Sequence, residues 1–385
     1  MESYLIKKHH LLTPGPTPIP ESVLREGSKS IIHHRTPEFS KIYMEVTEGL
    51  RTVFETVQDV YILASTGTGA MEAAVVNILD PGDRVICINS GKFGARWAQI
   101  CRTSGAKVEE IILEWGDDLP KEKLSERLSV HPDIKAVFST LSETSTGTIY
   151  DIRGFSEVIS LTDAIHVVDG ISGVGAMPCP MDDWQIDVLI AGSQKLFMIP
   201  PGLSYIAFSP KAWDHVETSS LPRYYFDMRK YRQSLKKQTP PFTPGTSLIV
   251  QQKKALEVIF DITIEKIREN HMTLGEATRK AVQAIGLELF SKKPGNILTA
   301  VKVPPGMDGS QLVRLMQDKY KAHIAGAQSP HEGEFFRISH LGYVGGFDII
   351  IALTALEMSL TELGFSFEPG KAIAVAEEIL KEKWE

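Results

Sequence analysis

Two charged residues sit where strands should end. Val167-Val168-Asp169 closes one apolar run on a carboxylate, and 26 positions on (195 − 169) Ala191-Gly-Ser-Gln-Lys195 closes another on an amine, ahead of the break Pro200-Pro201-Gly202. A lysine amine held in apolar surroundings is a nucleophile toward aldehydes and a base toward carbon acids. An aspartate buried nearby can hold a proton on a ring nitrogen. Together they suit pyridoxal phosphate: Lys195 to form the Schiff base, and Asp169 to keep the pyridine nitrogen protonated so that the ring can absorb carbanion electrons. A lone lysine after a strand is more often a solvated loop residue, so the reading depends on its company.

That company is three more segments after candidate strands and one arginine. Ser65-Thr66-Gly67-Thr68-Gly69 lies between an apolar run and a helical pattern. Glycines let the backbone approach an anion, hydroxyls donate, and a helix N-terminus offers free N–H groups and a favourable dipole. Taken singly, a plain strand–helix turn explains it equally well. Asn89-Ser90-Gly91-Lys92-Phe93-Gly94 brings an aromatic to a strand end. Phe93 would stack on a planar ring, or simply fill the core. Ser142-Glu143-Thr144-Ser145-Thr146-Gly147 carries hydroxyls that would meet a ring substituent, or form a polar turn. In Phe335-Phe336-Arg337-Ile338-Ser339 an arginine interrupts an apolar strand. Its guanidinium matches a carboxylate in bidentate geometry, from a substrate or from a structural ion pair.

Strand ends can meet only on a suitable sheet. Short apolar runs alternate with amphipathic stretches, with no internal repeat. Strands are expected at 60–64, 85–88, 136–138, 166–168 and 188–190, and helices at 69–79, 95–103 and 152–161. Runs apolar on both faces imply a mostly parallel sheet covered by helices, which gathers ligands at its carboxyl edge. The strand 204–208 follows the lysine segment closely enough to run antiparallel. Residues 247–268 read as one long connecting helix. Beyond about residue 270 the pattern mixes strands (298–301, 335–338) with a helix (348–362), as in a smaller α+β domain. The chain divides on this reading into an N-terminal arm and entrance loop (1–20), a large domain (21–265) and a small C-terminal domain (266–385).

Composition narrows the class. The 385 residues carry a net charge of 41 − 48 = −7, which gives no electrostatic ground for a nucleic acid or anionic membrane as partner. No apolar run approaches the roughly 20 residues of a membrane span. The start, MESYLIKKHH, lacks the apolar core of a signal peptide, and Cys87, Cys101 and Cys179 are scattered without a CxxC pair. A cytosolic protein is expected, with no metal site.

The segments LLTPGPTPIP, HHRTPEF, STGTGAMEAAVVNILDPGD, NSGKFGARW, SETSTG, VVDGISGVGA, AGSQKLFMIPPG, PPFTPGTSL and FRISHLG, in order over residues 11–346, together resemble the class V aminotransferases, in particular the alanine/serine–glyoxylate branch. The resemblance implies the α/β type I fold of pyridoxal phosphate enzymes, with a mostly parallel seven-stranded-type sheet. It also implies a homodimer with active sites at the subunit interface. It makes Lys195 the Schiff-base lysine and Asp169 the partner of the pyridine nitrogen. Thr66, Gly67, Thr68 and Gln194 would bind the phosphate. Phe93 would stack on the ring, where relatives often carry Trp or Tyr, and Thr144 would meet the ring's hydroxyl region. Arg337 would bind the substrate α-carboxylate, and the loop around Gly15 would line the entrance. A phosphate contact from the other subunit would come from Thr243 or Thr246. His33, His34 and Arg35 would sit near the dimer interface.

Within enzymes, a cysteine desulfurase would need a nucleophilic cysteine in the C-terminal domain, and none follows Cys179; kynureninase-type lyases share the same constellation. Outside enzymes, a hydrogenase-associated subunit or a pyridoxal phosphate-binding regulator is the alternative. Electron transfer would call for clustered cysteines, and a regulator for an added DNA-binding segment. The expected reaction is transfer of an amino group from alanine or serine to glyoxylate or pyruvate. Aspartate, phosphoserine or 2-aminoethylphosphonate becomes the alternative if Arg35 or Arg223 supplies a second cation.

Overall fold

The computed structural model describes residues 6–383, so the first five residues of the expected arm lie outside it. Seven strands form the main sheet: β1 (Val60–Leu63), β2 (Arg84–Asn89), β3 (Lys107–Ile112), β4 (Ile134–Thr140), β5 (Ile165–Asp169), β6 (Val188–Gly192) and β7 (Ser204–Phe208). Their spatial order is β1-β7-β6-β5-β4-β2-β3. Only β7 runs against its neighbours, pairing antiparallel with both β6 and β1. β1, β5, β6 and β7 are buried along their whole length, as runs apolar on both faces require. Edge strand β3, Lys-Val-Glu-Glu-Ile-Ile, is half-buried and charged, and its alternation is too weak to read from sequence.

Helices α1 (Pro37–Phe54), α2 (Gly67–Ile78), α3 (Lys92–Thr103) and α4 (Ile152–Ile159) cover this sheet. α3 buries Gly94, Trp97, Ala98 and Cys101, one stripe at helical spacing, against β2, β3 and β4. The Trp97 indole N–H also donates to the Ser139 carbonyl at 3.2 Å, pinning the helix to β4.

The long helix expected over 247–268 is two helices, α5 (Thr246–Ile262) and α6 (Ile264–Ala284). They break at Thr263, whose φ of 80° is unusual for a β-branched residue. Its hydroxyl accepts from the Lys266 N–H at 3.3 Å and caps α6. Neither Gly nor Pro marks the break, and apolar periodicity runs through it.

Beyond α6, β8 (Leu298–Lys302), β9 (Ala325–Gly326) and β10 (Phe335–Ser339) form an antiparallel sheet with β10 in the centre. α7 (Gly346–Glu362) and α8 (Lys371–Lys381) follow. One apolar cluster runs from Val23 to Ile267, with Ile297 and Leu341 added. A second gathers Leu274 to Leu380 together with Leu12. The divide falls inside α6. Residues 10–11 pair in parallel with 322–323, so the start of the described chain joins the second cluster. Among the described residues no helix is long and apolar enough to cross a membrane.

Candidate active site

β5 and β6 are parallel neighbours, which brings their carboxyl ends to one edge. Asp169 is the last residue of β5, and Lys195 follows β6 by three residues. Both are buried, with 3% and 8% of their surface exposed. β4 ends with Thr140 level with Asp169, so Ser142 and Thr144 emerge beside it. A cavity of about 130 Å³ is lined by Asp169 and Lys195 together with the Thr66-Gly67-Thr68 turn, Phe93, Thr144 and Gln194. Arg96, Ser142, Ile171 and Ser172 complete the lining.

Burial moves the acid and the amine toward each other in pKa. It pushes the Asp169 carboxyl up to about 7, against the Ile171 N–H that donates to its Oδ1 at 2.9 Å. It brings the Lys195 ammonium down to about 8, although the Asp169 charge pulls the other way. The Lys195 Nζ donates to the Pro14 carbonyl at 2.5 Å. This places the entrance loop directly on the lysine. Gly15, at φ 142°, has no alternative there: a Cβ would stand 2.4 Å from the Lys195 Nζ. Two further bonds hold the loop down, from the Thr17 N–H to the Gln194 carbonyl (3.1 Å) and from the Thr17 hydroxyl to the Lys195 carbonyl (2.9 Å).

Thr66 stands at the N-cap of α2, yet its side chain makes no capping hydrogen bond. Gln194 Oε1 and Ser142 Oγ, both on the cavity residues, are buried without a hydrogen-bond partner among the described residues. The Thr144 and Ser172 hydroxyls meet at 2.6 Å. Arg337, on β10, reaches in from the second cluster. Its Nη1 donates to the Thr144 carbonyl (2.8 Å), and its Nε and Nη2 to the Gly326 carbonyl (3.2 and 2.6 Å). Among the described residues it has no carboxylate within ion-pair distance, and burial lowers its pKa to about 10.

The remaining expected residues lie elsewhere. Thr243 lines a separate pocket with Tyr225 and Tyr231, and Thr246 opens α5; within one chain neither lines the cavity. His33 and His34 pack ring to ring at 4.8 Å. The Arg35 Nη1 donates to Thr239 Oγ1 and the Pro240 carbonyl, while the Arg223 guanidinium donates to the Val76, Val216, Ser219 and Leu221 carbonyls. Neither arginine lines the cavity as a second cation.

Two residues of chemical weight escape a motif reading. Arg96 sits one turn after Phe93 on α3, with its guanidinium 4.9 Å from that ring's centroid and its Nη1 donating to Thr68 Oγ1 at 3.1 Å. The i, i+3 spacing from Phe93 is the signal that could have found it. Glu143 is wholly buried at the start of α3. Its carboxylate accepts from the Phe93, Gly94 and Ser145 N–H groups and from the Ser145 hydroxyl. An anion at a helix N-terminus is favourable, and this one fixes where Phe93 and Arg96 begin.

The model of the aminotransferase class-V family matches residues 9–330. The chain belongs to the class V aminotransferases. The soluble hydrogenase small subunit of Synechococcus sp. is 41% identical over 97% of this chain and 98% of its own. The serine–glyoxylate aminotransferase of Arabidopsis thaliana is 34% identical, and the L-aspartate–glyoxylate aminotransferase of Paracoccus denitrificans 33%, each over 97% of this chain and 96% of its own. The crystal structure of ureidoglycine–glyoxylate aminotransferase from Bacillus subtilis superposes with a TM-score of 0.94 at 26% identity, over 98% of this chain and all of that one. This class V aminotransferase is a pyridoxal phosphate-dependent transaminase by family. Its cavity suits the cofactor: a buried amine, a buried carboxyl, a helix N-terminus with an unengaged hydroxyl, and two orphaned polar atoms.

Proposed function

We propose that this transaminase moves the amino group of alanine or serine to glyoxylate or pyruvate, with Lys195 and Asp169 as its catalytic pair. The observation that carries the reading is Arg337, a buried cation satisfied by carbonyls alone on the Lys195 side of the cavity. Such a charge is costly without an anion, and a substrate α-carboxylate would meet it in bidentate geometry.

Bound pyridoxal phosphate would supply an electron sink for the pair left when the substrate Cα–H bond breaks. Lys195 would hold its aldehyde covalently, and Asp169 would keep a proton on the ring nitrogen. Thr66, Gly67, Thr68 and Gln194 would hold the phosphate, Phe93 would stack on the ring, and Thr144 would meet the ring hydroxyl. Thr243 or Thr246 would reach the phosphate across a homodimer interface, and Gly15 would line the entrance. When not bonded to the cofactor, the Lys195 Nζ would be the general base for the substrate α-proton. A pKa near 8 leaves a useful neutral fraction at physiological pH. The amino acid and the oxo acid would use the same site in turn, so the expected kinetics are ping-pong. The setting is cytosolic.

A substrate with a distal anion, such as aspartate, phosphoserine or 2-aminoethylphosphonate, is the second reading. Arg96 favours it, as another cation on the same cavity. A scaffold would have no use for a base and an acid around one cavity with an unpaired cation beside it. The test is a comparison of kcat/KM for alanine and serine with glyoxylate against aspartate, phosphoserine and the phosphonate, with borohydride reduction and peptide mapping of the cofactor linkage. The small donors should lead by about 100-fold or more, the cost of an unpaired distal anion in a dry pocket, and the label should map to Lys195. A lead for the anionic donors rejects the small-substrate reading, and a label elsewhere rejects the site.

A further inference from the structure

The cradle at the start of α2 offers hydroxyls and N–H groups but no formal charge. A phosphate monoester carries about −1.5 to −2 at neutral pH, and a helix N-terminus answers with roughly half a unit of positive charge. The cation nearest that cradle is Arg96. Its Nη1 already donates to Thr68 Oγ1 at 3.1 Å. Among the described residues no carboxylate lies within ion-pair distance of it, and its guanidinium rests over the Phe93 ring, a position that shields it partly from water. Its root is held firmly: Glu143 accepts from Phe93 and Gly94 one turn earlier, and the adjacent Trp97 is tied to Ser139. By contrast Arg35 and Arg223 are engaged with other oxygens, and Arg337 stands on the Thr144 side. Among the charges that act on the two catalytic groups, Arg96 acts on Asp169 and Arg337 on Lys195. Arg96 thus lines the cavity at the cradle, while Arg337 stands behind Thr144.

Resting on the reading above, we propose that Arg96 binds the phosphate of pyridoxal phosphate as the charged member of the Thr66–Thr68 cradle, leaving Arg337, beside the cavity, for the substrate carboxylate. A planar guanidinium can keep its bond to Thr68 and still present a second N–H edge to a phosphate oxygen, which an ammonium cannot do in one plane. The assignment also reconciles a second cation in the cavity with a small substrate, since Arg96 would be occupied before any amino acid arrives.

The test titrates the full-length protein, freed of cofactor, with pyridoxal phosphate and separately with unphosphorylated pyridoxal. Absorbance and tryptophan fluorescence follow binding, and far-UV circular dichroism follows the fold. Arg96→Gln should weaken pyridoxal phosphate by about 10- to 100-fold, the range of a hydrogen bond to a charged group. It should leave pyridoxal within about threefold. Arg96→Lys should fall between, and salt should weaken pyridoxal phosphate binding more steeply in wild type than in Arg96→Gln. If Arg96→Gln fails to fold, Arg96→Lys and the wild-type salt dependence, with inorganic phosphate as competitor, decide the matter. Equal losses for pyridoxal and pyridoxal phosphate would overturn the proposal by making Arg96 a support for Phe93. An unchanged pyridoxal phosphate affinity with weakened aspartate binding would overturn it in favour of a substrate cation. A wild-type protein that binds neither compound would instead reject the transaminase site as a whole.

Discussion

At the scale of single residues, Asp169 makes the sharpest test, because its burial is harmful until something cationic faces it. In the cofactor-free protein its carboxyl titrates near 7 rather than 3.8. A group raised in the folded state contributes fully below its unfolded pKa, near 4, and loses that contribution as pH rises through about 7. About three units at 1.4 kcal/mol each sets an upper limit near 4 kcal/mol. Asp169→Asn should therefore stabilise the cofactor-free protein by up to about 4 kcal/mol at pH 8 and by less than half of that at pH 5, as read by chemical denaturation. The same gain at both pH values would sink this account. Asp169, Lys195 and Arg337 were legible because each places a charge where an apolar run makes charge expensive. Arg96 and Glu143 were not. Arg96 shares its helix with Gln99 and Arg102 and looks like part of a solvated face, while Glu143 sits in a run of hydroxyls that reads as a turn.

At the scale of elements, the site depends on where α3 begins, and Glu143 decides that. The helix starts at Lys92, three residues before its apolar stripe suggests, because a carboxylate from the segment after β4 accepts its first N–H groups. Glu143→Ala would leave the Phe93, Gly94 and Ser145 donors buried and unmet, at about 1–3 kcal/mol for each group that water cannot reach. A loss of 3 kcal/mol or more in unfolding free energy is expected, with faster cofactor release as Phe93 and Arg96 lose their anchor. A variant as stable as wild type would show that the cap is dispensable. The parallel core strands were readable from their apolar runs. Edge strand β3 was not, since Lys107 and Glu109 charge one face and Glu110 the other, and none of its residues is fully buried. The break at Thr263 was invisible for a different reason. It rests on a backbone conformation, not on a residue type that signals one.

At the scale of the molecule, two apolar clusters divide the chain, and polar ties cross between the parts that hold them, among them Thr148 to Ser291 and Lys293 to Asp118. The chain near Leu12 belongs to the second cluster, while Thr17, five residues on, bonds to Gln194 and Lys195 of the first. Arg337 is a further tie, from β10 to the Thr144 carbonyl. Arg337→Ala should raise KM for amino and oxo acids by a factor of roughly 30 or more, the effect of truncating one partner of a buried charge pair (about 2–5 kcal/mol). The cofactor absorption spectrum should stay nearly unchanged. An unaltered KM would show that another group holds the carboxylate. The measured rise will not be recognition alone, however, because the same side chain is also one of the bolts between the two clusters. A primary amine without a carboxylate would feel only the lost bolt, and the ratio of the two effects isolates the share owed to the carboxylate. Position 337 therefore writes selectivity and rigidity with one side chain. A lineage drifting toward substrates without a carboxylate would loosen, on losing this arginine, the fastening nearest the lysine, while those at Ser291 and Lys293 stayed in place.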